Sequence, residues 1–287
     1  MRPPMSHAHE STPMHARLPK NFVLEQRIER YAAAIETGGS AYAGRWAHAC
    51  AEAGGAPFAR VHLDLGCGKG SFIAQMAERH PNTLFIGMDS EPVCVVYAAQ
   101  LLCERGIRNA LVVPGDAARA ADIFADGELA AISINFPTPH PKRRHADKRL
   151  TSAAHLEGYR PLLAAGGTVT LRTDSAPLYA YSLPQFEAAG WRIRWASAND
   201  RADHPDTPIT EYEERLSAQG AHVHSICAAP ASAPASAAQL EAARALPQSL
   251  YEYLPDNLFD GAYIPHGMGY AIENFRNRRT HEQARAR

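Results

Sequence analysis

The sequence feature that most constrains the fold is the alternation of short apolar runs with helical segments. Five apolar runs have the length of buried strands, and they lie at residues 61–65, 84–88, 110–113, 129–136 and 168–171. Residues 71–80 and 93–105 carry their apolar side chains at helical spacing and separate the first three runs. Strands that alternate with helices form a parallel sheet with helices on both faces. The sequence therefore predicts an α/β fold with a doubly wound, mostly parallel sheet.

The segments around this core suggest a division of the chain. Residues 1–20 are rich in Pro, His and Ser and are predicted to form a mobile arm, followed by a helical segment over residues 21–55. The sheet-forming domain is predicted over residues 56–227. Residues 228–238 consist of Ala, Pro and Ser, which is typical of a linker. Residues 239–287 form a helical or irregular C-terminal extension, whose aromatic side chains either pack onto the main domain or stack on exposed bases.

Composition excludes several classes of protein. No window of 18 uninterrupted apolar residues occurs, so we expect no membrane-spanning helix. The first residues lack the apolar region of a secretory signal. The five cysteines include no C-x-x-C pair, and the two H-x-H pairs, His7 with His9 and His222 with His224, lack a pattern that would complete a site. We therefore expect a reduced, cytoplasmic protein without a metal, either a monomer or a homodimer.

A glycine-rich loop follows the first predicted strand. Residues 64–70 read DLGCGKG, with Gly66, Gly68 and Gly70 at alternate positions. Glycines there let the backbone turn sharply and approach a ligand closely, although a purely structural turn is the alternative. The spacing departs from the G-x-G-x-x-G pattern of dinucleotide-binding loops. The loop therefore predicts a nucleoside ligand without a pyrophosphate.

Acidic residues accompany the ends of the first three predicted strands. Asp64 precedes the glycine-rich loop, Asp89 ends the second strand, and Asp116 follows the third. A carboxylate at the position of Asp89 can hold both hydroxyls of a ribose, and Asp116 lies where an adenine is expected. Together with the loop, these acids resemble the first motif of class I S-adenosylmethionine-dependent methyltransferases. That resemblance implies a Rossmann-like fold and S-adenosyl-L-methionine as the cofactor.

A segment rich in proline and then in basic residues follows the fourth predicted strand. Residues 134–151 read INFPTPHPKRRHADKRLT, and prolines at alternate positions stiffen the first part. The carboxyl end of this strand is expected to line the reactive side of the site. The cations that follow suggest a polyanionic substrate such as nucleic acid, with a solvated basic face as the alternative.

Net charge alone would argue against a nucleic-acid substrate, because the whole chain carries only −1. The charge is unevenly distributed. Residues 142–149 and residues 276–287 each carry a net charge of +4, so the rest of the chain is at −9. The positive charge is thus concentrated beside the predicted site and in the C-terminal tail, whose role in RNA binding is left open.

The proline-rich segment resembles the bacterial tRNA (guanine-N7)-methyltransferases, whose signature at this place is approximately F-P-D-P-W-P-K-x-R-H-x-K-R-R. Thr173 and Asp174 match the T-D motif of that family, and residues 210–215, TEYEER, match its later T-x-[FY]-E-x-[KR] motif. The resemblance covers residues 56–227. It implies methyl transfer to N7 of a guanine in tRNA, by family resemblance guanine 46 of the variable loop.

The resemblance also implies roles for individual residues. Cofactor binding is expected of Asp64, Gly66, Gly68, Gly70, Asp89 and Asp116. Contacts with the substrate or its RNA backbone are expected of Lys142, Arg144, His145, Lys148, Arg149, Asp174, Thr210 and Glu213. Asp174 is also expected at the catalytic centre.

Two residues depart from the family signature. Thr138 stands where the family has an Asp to which a catalytic role is assigned, and His140 stands where it has Trp. Guanine N7 carries a lone pair and no proton, so a general base is not obligatory and we expect reduced rather than abolished activity. The alternatives are a catalytically weakened RNA-binding relative and a methyltransferase that acts on a small molecule or a protein.

Overall fold

The computed structural model describes residues 21–50, 56–254, 263–265, 268–269 and 272–273. The predicted N-terminal arm, with His7 and His9, lies outside the described residues, as does the Arg-rich tail. Across the described residues no helix is both long enough and apolar enough to cross a membrane.

Within the described residues, seven strands form one sheet. Their bounds are β1 Arg60–Leu65, β2 Thr83–Asp89, β3 Ala110–Pro114, β4 Leu129–Asn135, β5 Leu163–Thr173, β6 Trp191–Ser197 and β7 His224–Pro230. The spatial order is β3-β2-β1-β4-β5-β7-β6. Neighbouring strands from β3 to β5 run parallel, and β7 runs antiparallel to both β5 and β6. The predicted doubly wound, mostly parallel sheet is confirmed.

Helices cover both faces of the sheet. The α-helices of the described chain are α1 Leu24–Arg30, α2 Ser71–Arg79, α3 Pro92–Glu104, α4 Ala120–Ile123, α5 Ala153–Tyr159, α6 Ala176–Ala188, α7 Asp200–Asp203, α8 Glu211–Ser217 and α9 Ala237–Ala245. Because successive side chains of a strand point to opposite faces, Phe85 packs with α2 and α3 while Ile86 packs into the larger cluster on the other face. Burial of both faces accounts for the continuous apolar runs that predicted β1 to β4.

The N-terminal segment is less helical than its apolar pattern predicted. Only α1 is a regular helix, and short 3-10 helices follow at Ala32–Ala34, Gly39–Tyr42 and Trp46–His48. Gly44, at φ +74°, has a conformation that interrupts a helix. Trp46 is fully buried, and its Nε1 donates to the carbonyl oxygen of Ile123 at 2.9 Å, which anchors the segment on α4.

The last two strands were missed in the sequence. β6 is an edge strand in which exposed arginines alternate with less exposed residues, and β7 contains mainly small residues. β7 continues through Ala228, Ala229 and Pro230, which we had assigned to the linker, and both alanines are buried. That assignment was wrong for these three residues, because alanine has the same composition signal in a linker and in a tightly packed strand. At its other end the predicted linker overlaps the first two residues of α9, Ala237 and Ala238. The division of the chain into domains is otherwise still a prediction.

Candidate active site

The carboxyl edge of the sheet between β1 and β4 is a topological switch point. The chain runs outward from β1 to β3 and then returns to place β4 on the other side of β1. In open α/β sheets the crevice at such a point is where ligands bind. The loops after β1 and β4, which carry most of the predicted site residues, open onto this crevice.

Two buried polar side chains meet across the switch point. Asp64 of β1 is 1% exposed, and its Oδ1 accepts a hydrogen bond of 2.9 Å from Nδ2 of Asn135, the last residue of β4. Within the described chain, Asp64 Oδ2 and Asn135 Oδ1 are buried and have no hydrogen-bond partner. Buried acceptors in proteins are normally paired, so this arrangement suits a ligand that brings donors. Asn135 was missed in the sequence, where its only signal is an amide at the end of an apolar strand.

The electrostatics of Asp64 favour a cationic ligand. Burial raises the pKa of its carboxyl from 3.8 to about 7, the hydrogen bond from Asn135 opposes this, and the negative charge of Asp89 adds to it. A cation bound beside the carboxylate would stabilise the charged form. Asp64 is therefore poised to change its protonation state when such a ligand binds.

The glycine-rich loop leaves open space at two of its three glycines. Gly66 and Gly68 have φ of +74° and +55°, and a Cβ added to either would meet no atom within 4 Å. A ligand can therefore approach the backbone here, as the sequence predicted. Gly70 differs, because its added Cβ would lie 2.8 Å from the Cβ of Ala98 on α3. The missing side chain of Gly70 serves close packing on α3 rather than access for a ligand.

Asp89 and Asp116 lie at the same edge and already bind backbone amides. Asp89 ends β2, its Oδ2 accepts from the amide of Gly68 and its Oδ1 from that of Glu91, both at 2.9 Å. Burial raises the pKa of Asp89. Asp116 is exposed after β3, and its Oδ1 accepts from the amide of Ala118 at 3.0 Å. These bonds orient both carboxylates and hold that of Asp89 beside the loop, and the cofactor roles of the two acids stay predictions.

The proline-rich loop between β4 and residue 142 has an unusual backbone. His140 has a φ of +47°, a region that residues other than glycine rarely adopt. The side chain of Arg149 stabilises this conformation by hydrogen bonds to the loop backbone. Its Nε donates to the carbonyl oxygens of Pro139 and His140 at 3.3 and 3.1 Å, and its Nη2 donates to that of His140 at 2.7 Å. Its guanidinium also lies 4.4 Å from the ring centroid of Tyr181.

The position of Arg149 in the fold does not favour the predicted contact with RNA, which stays a prediction. Arg149 is 1% exposed, and its Nε and Nη2 bond to the loop, while its Nη1 is buried without a partner in the described chain. An arginine in a basic run can be solvated or buried, and the run itself does not distinguish the two.

The other cations of the segment remain accessible. Arg143, Arg144 and Lys148 are exposed, and Lys142 and His145 are partly exposed, on or beside the 3-10 helix Arg143–Lys148. We call Lys142, Arg143, Arg144 and Lys148 the basic rim. Thr138 is exposed in the loop that leads to this rim. The accessible positive charge therefore borders the crevice, as a polyanionic substrate would require.

Glu213 and Thr210, predicted to bind substrate, instead stabilise the fold in this structure. Glu213 is 1% exposed and forms ion pairs with Arg172 of β5, at 3.2 Å, and with Arg201 of α7. Arg172 also pairs with Asp200 at 2.7 Å. The hydroxyl of Thr210 caps α8 by accepting from the amide of Glu213 at 3.2 Å. The ion cluster encloses the carboxylate of Glu213, so this arrangement does not favour the predicted contact with substrate, which stays a prediction.

Asp174 follows β5 and lies close to the start of the proline-rich loop. Arg172, two residues earlier, is in register with Asn135, and its carbonyl oxygen accepts from the amide of Phe136 at 2.7 Å. Asp174 is 7% exposed, and its Oδ2 accepts a hydrogen bond of 2.6 Å from the hydroxyl of Tyr263. The sequence predicted Asp174 but gave no signal for Tyr263, which belongs to the C-terminal extension.

Histidines and cysteines add no further centre in the described residues. No group of three His, Cys, Asp or Glu side chains there could hold a metal ion. His224 of the H-x-H pair stacks on Tyr179 with ring centroids 5.1 Å apart. Burial raises the pKa of the Cys67 thiol well above its ordinary value, which suits a small apolar residue in the loop rather than a nucleophile.

Comparisons with known proteins identify the family of the sheet-forming region. The sequence model of a family described as putative methyltransferases matches residues 59–226. A tRNA (guanine-N(7)-)-methyltransferase from Brevibacillus brevis is 38% identical over 58% of this chain and 78% of the relative. A protein of the same name from Oceanobacillus iheyensis is 36% identical over 57% of this chain and 78% of the relative.

Among solved structures, an antibiotic-related methyltransferase aligns with a TM-score of 0.47 and 20% identity, over 60% of this chain and 86% of that one. The assignment rests on the sequence matches, which extend over more than half of this chain and more than three quarters of each relative. This chain is a methyltransferase and belongs to the tRNA (guanine-N7)-methyltransferase family.

Proposed function

We propose that this enzyme transfers a methyl group from S-adenosyl-L-methionine to N7 of a guanine in tRNA, and that its target is guanine 46 of the variable loop. The observation that carries the proposal is the pair of buried, unpartnered acceptors, Asp64 Oδ2 and Asn135 Oδ1, at the switch point. The basic rim borders the same crevice. The names of the relatives supply the nucleobase, its position N7 and the tRNA.

The residues of the crevice fit S-adenosyl-L-methionine. The ammonium of its methionine part can donate to Asp64 Oδ2 and Asn135 Oδ1, which would pair both buried acceptors. Open backbone at Gly66 and Gly68 leaves room for the nucleoside, and Asp89 can accept from the ribose hydroxyls. When bound, the cofactor supplies an electrophilic methyl group on a positively charged sulfur.

The protein's own contribution to the reaction is mainly positioning. Guanine N7 has a lone pair and no proton to remove, so the reaction needs no general base. An acidic side chain is needed only to orient the guanine ring. Guanine carries N–H donors on its Watson–Crick edge, and the carboxylate of Asp174 is an acceptor suited to them. Lys142 and Arg144 of the basic rim would hold phosphates and offset the cost of extracting the base from its stack, which is a few kcal/mol.

Thr138 affects the rate in this proposal. It presents a neutral hydroxyl from an exposed position in the loop where the family signature has a carboxylate. A hydroxyl can still donate or accept a hydrogen bond, but it does not provide a negative charge. We therefore propose an active enzyme whose turnover is lower than that of a relative with Asp at this position.

The test is methyl transfer to a defined RNA. The purified protein is incubated with methyl-labelled S-adenosyl-L-methionine and an unmodified tRNA transcript. The product is reduced with borohydride and then treated with aniline, which cleaves the strand at the reduced 7-methylguanosine. We expect label and cleavage at position 46, and neither in a matched transcript with adenine there. Cleavage at another guanine would refute the proposed position. Salt-sensitive tRNA binding without transfer would refute the proposed reaction and favour a weakened RNA-binding relative.

A further inference from the structure

The C-terminal extension, residues 239–287, contacts the site although it lies outside the region that the family model matches, which ends at residue 226. The amide of Leu250 donates to the carbonyl oxygen of Pro141 in the proline-rich loop at 3.0 Å. The hydroxyl of Tyr263 donates to Asp174 Oδ2 at 2.6 Å. One part of the extension thus contacts the loop after β4, and another contacts the acid after β5.

A buried apolar contact fixes the described parts of the extension in place. Leu250, Met268 and Ile272 are fully buried against Leu178 and Tyr181 of α6. Burial of large apolar side chains on this scale stabilises a fixed arrangement rather than a loosely attached tail. The described parts of the extension therefore pack as part of the folded domain.

The bond between Tyr263 and Asp174 is of a strong type. A hydroxyl that donates to a carboxylate forms a short, charge-assisted hydrogen bond, stronger than one between neutral groups. Asp174 is 7% exposed, so little water competes for its oxygen. The bond selects one orientation of the Asp174 side chain, at the place where the guanine edge is expected.

The proline-rich loop lacks an acidic side chain that could bind the guanine, so the orientation of Asp174 becomes more important. Thr138 leaves the loop without the carboxylate of the family signature, while Asp64 and Asp89 lie on the cofactor side of the crevice. Asp174 is then the acid best placed to bind the N–H donors of guanine. The precision of that contact depends on what holds Asp174.

We propose that Tyr263 is a positioning residue for the guanine, and that the C-terminal extension completes the guanine pocket by holding Asp174 through the Tyr263 hydroxyl. This inference rests on the proposed function. It assigns a specificity role to a segment outside the region shared with the family model.

The test compares Tyr263→Phe, which removes only the hydroxyl, with Tyr253→Phe in the same extension. Tyr253 donates its hydroxyl to the carbonyl oxygen of Pro247 at 3.1 Å, so its variant is the matched control. Two quantities are measured. The first is kcat/KM for tRNA. The second is the affinity for a transcript with guanine at the target position divided by the affinity for one with adenine there, both in the presence of S-adenosylhomocysteine. For Tyr263→Phe we expect both to fall about tenfold, with the KM for the cofactor and the melting temperature unchanged. Tyr253→Phe should match wild type.

A second background separates positioning from a merely structural role. If Tyr263 acts through Asp174, Tyr263→Phe should have no further effect in an Asp174→Asn protein. Equal losses in both backgrounds would overturn the inference. So would an unchanged rate, or a faster one, since a faster variant would mean that Tyr263 masks Asp174. Wild-type protein that binds both transcripts equally would instead refute the proposed function, so the two failures are distinguishable.

Discussion

The guanidinium of Arg149 donates two hydrogen bonds to one atom, the carbonyl oxygen of His140, at 3.1 Å from Nε and 2.7 Å from Nη2. His140 has a backbone conformation that costs free energy in a residue other than glycine. The hydrogen bonds from Arg149 therefore offset this cost and stabilise the conformation of the loop. Since that loop follows β4 at the switch point, we expect Arg149 to affect the predicted site through the loop, although its own side chain is buried.

Replacement of Arg149 by lysine should slow methyl transfer. A lysine keeps the charge but has no planar fork with which to make both bonds, so the loop should relax. We expect kcat to fall by a factor of about 10 to 100 and the free energy of unfolding to fall by about 1–3 kcal/mol. Steady-state kinetics and urea denaturation measure the two effects. The control is Arg143→Lys, at an exposed position of the same segment, which should change neither kcat nor the free energy of unfolding. Equal effects of the two variants would contradict the role given to Arg149.

Replacement of Glu213 by glutamine should affect stability first. The change keeps the shape but removes the buried countercharge of Arg201 and one of the two buried countercharges of Arg172, which keeps its ion pair with Asp200. We expect the free energy of unfolding to fall by about 3 kcal/mol. Thermal and urea denaturation report this loss. Glu214→Gln, an exposed change in the same helix, should have no effect. A normal melting temperature with a raised KM for tRNA would instead support the predicted contact of Glu213 with the substrate.

The two glycines of the loop should respond differently to alanine. In Gly68→Ala the new methyl group enters open space where the cofactor is expected, so the affinity for S-adenosyl-L-methionine should fall at least about tenfold, with roughly 1 kcal/mol of backbone strain. In Gly70→Ala the methyl group meets Ala98, so stability should fall more than for Gly68→Ala. Calorimetric titration and denaturation of both variants measure these quantities. A Gly68→Ala protein with normal cofactor affinity would show that the ligand lies elsewhere.

The raised pKa of Asp64 makes cofactor binding depend on pH. Below about 7 its carboxyl is protonated and loses its attraction for an ammonium group, so the dissociation constant of S-adenosyl-L-methionine should rise about fivefold as the pH falls from 7 to 6. Titration calorimetry at the two pH values measures the change. Asp64→Asn should bind more weakly and without this dependence. If that variant showed the same pH dependence, another group would be responsible.

Asp64 also makes the stability of the cofactor-free protein depend on pH. Its pKa is higher in the folded chain than in the unfolded one, so the folded state holds the proton more tightly. The contribution is present in full below the unfolded pKa, close to 4, and is lost as the pH rises to about 7. As the pH rises over this window, the free energy of unfolding of the wild type should therefore fall relative to that of Asp64→Asn. A difference that stays constant would contradict the assignment.

Restoring a carboxylate to the loop should accelerate the enzyme. Thr138 is exposed, so Thr138→Asp adds a charge without burying it, and the carboxylate can hold the guanine edge together with Asp174. We expect kcat to rise about tenfold with little change in melting temperature. Thr138→Val serves as the comparison because it removes the hydroxyl at a similar volume. An Asp variant no faster than wild type would mean that the threonine already suffices.

The sequence predicted the parts of the site that depend on local pattern. Apolar runs mark β1 to β5, and strands that run parallel bring their carboxyl ends to one edge, so Asp64, Asp89 and Asp116 could be placed near the glycine-rich loop without coordinates. The same pattern failed for β6 and β7, where exposed arginines and small alanines obscure the strand signal.

Contacts between distant parts of the chain could not be predicted in this way. Asn135 lies 71 residues from Asp64, and Tyr263 lies 89 residues from Asp174. Neither residue belongs to a short motif. Arg149 and Glu213 lie within motifs, but whether a charged side chain meets solvent or a buried partner is set by the packing of other elements around it.

The position of β7 between β5 and β6 has a consequence for biosynthesis. As the chain leaves the ribosome, β6 appears before β7, yet β7 is its only neighbour in the described sheet. At 5–20 residues per second, roughly 1–5 s of translation separate the two strands. During that interval Trp191 and Trp195 belong to a strand without its partner, so we expect its unpaired edge to promote aggregation and to be a target for chaperones.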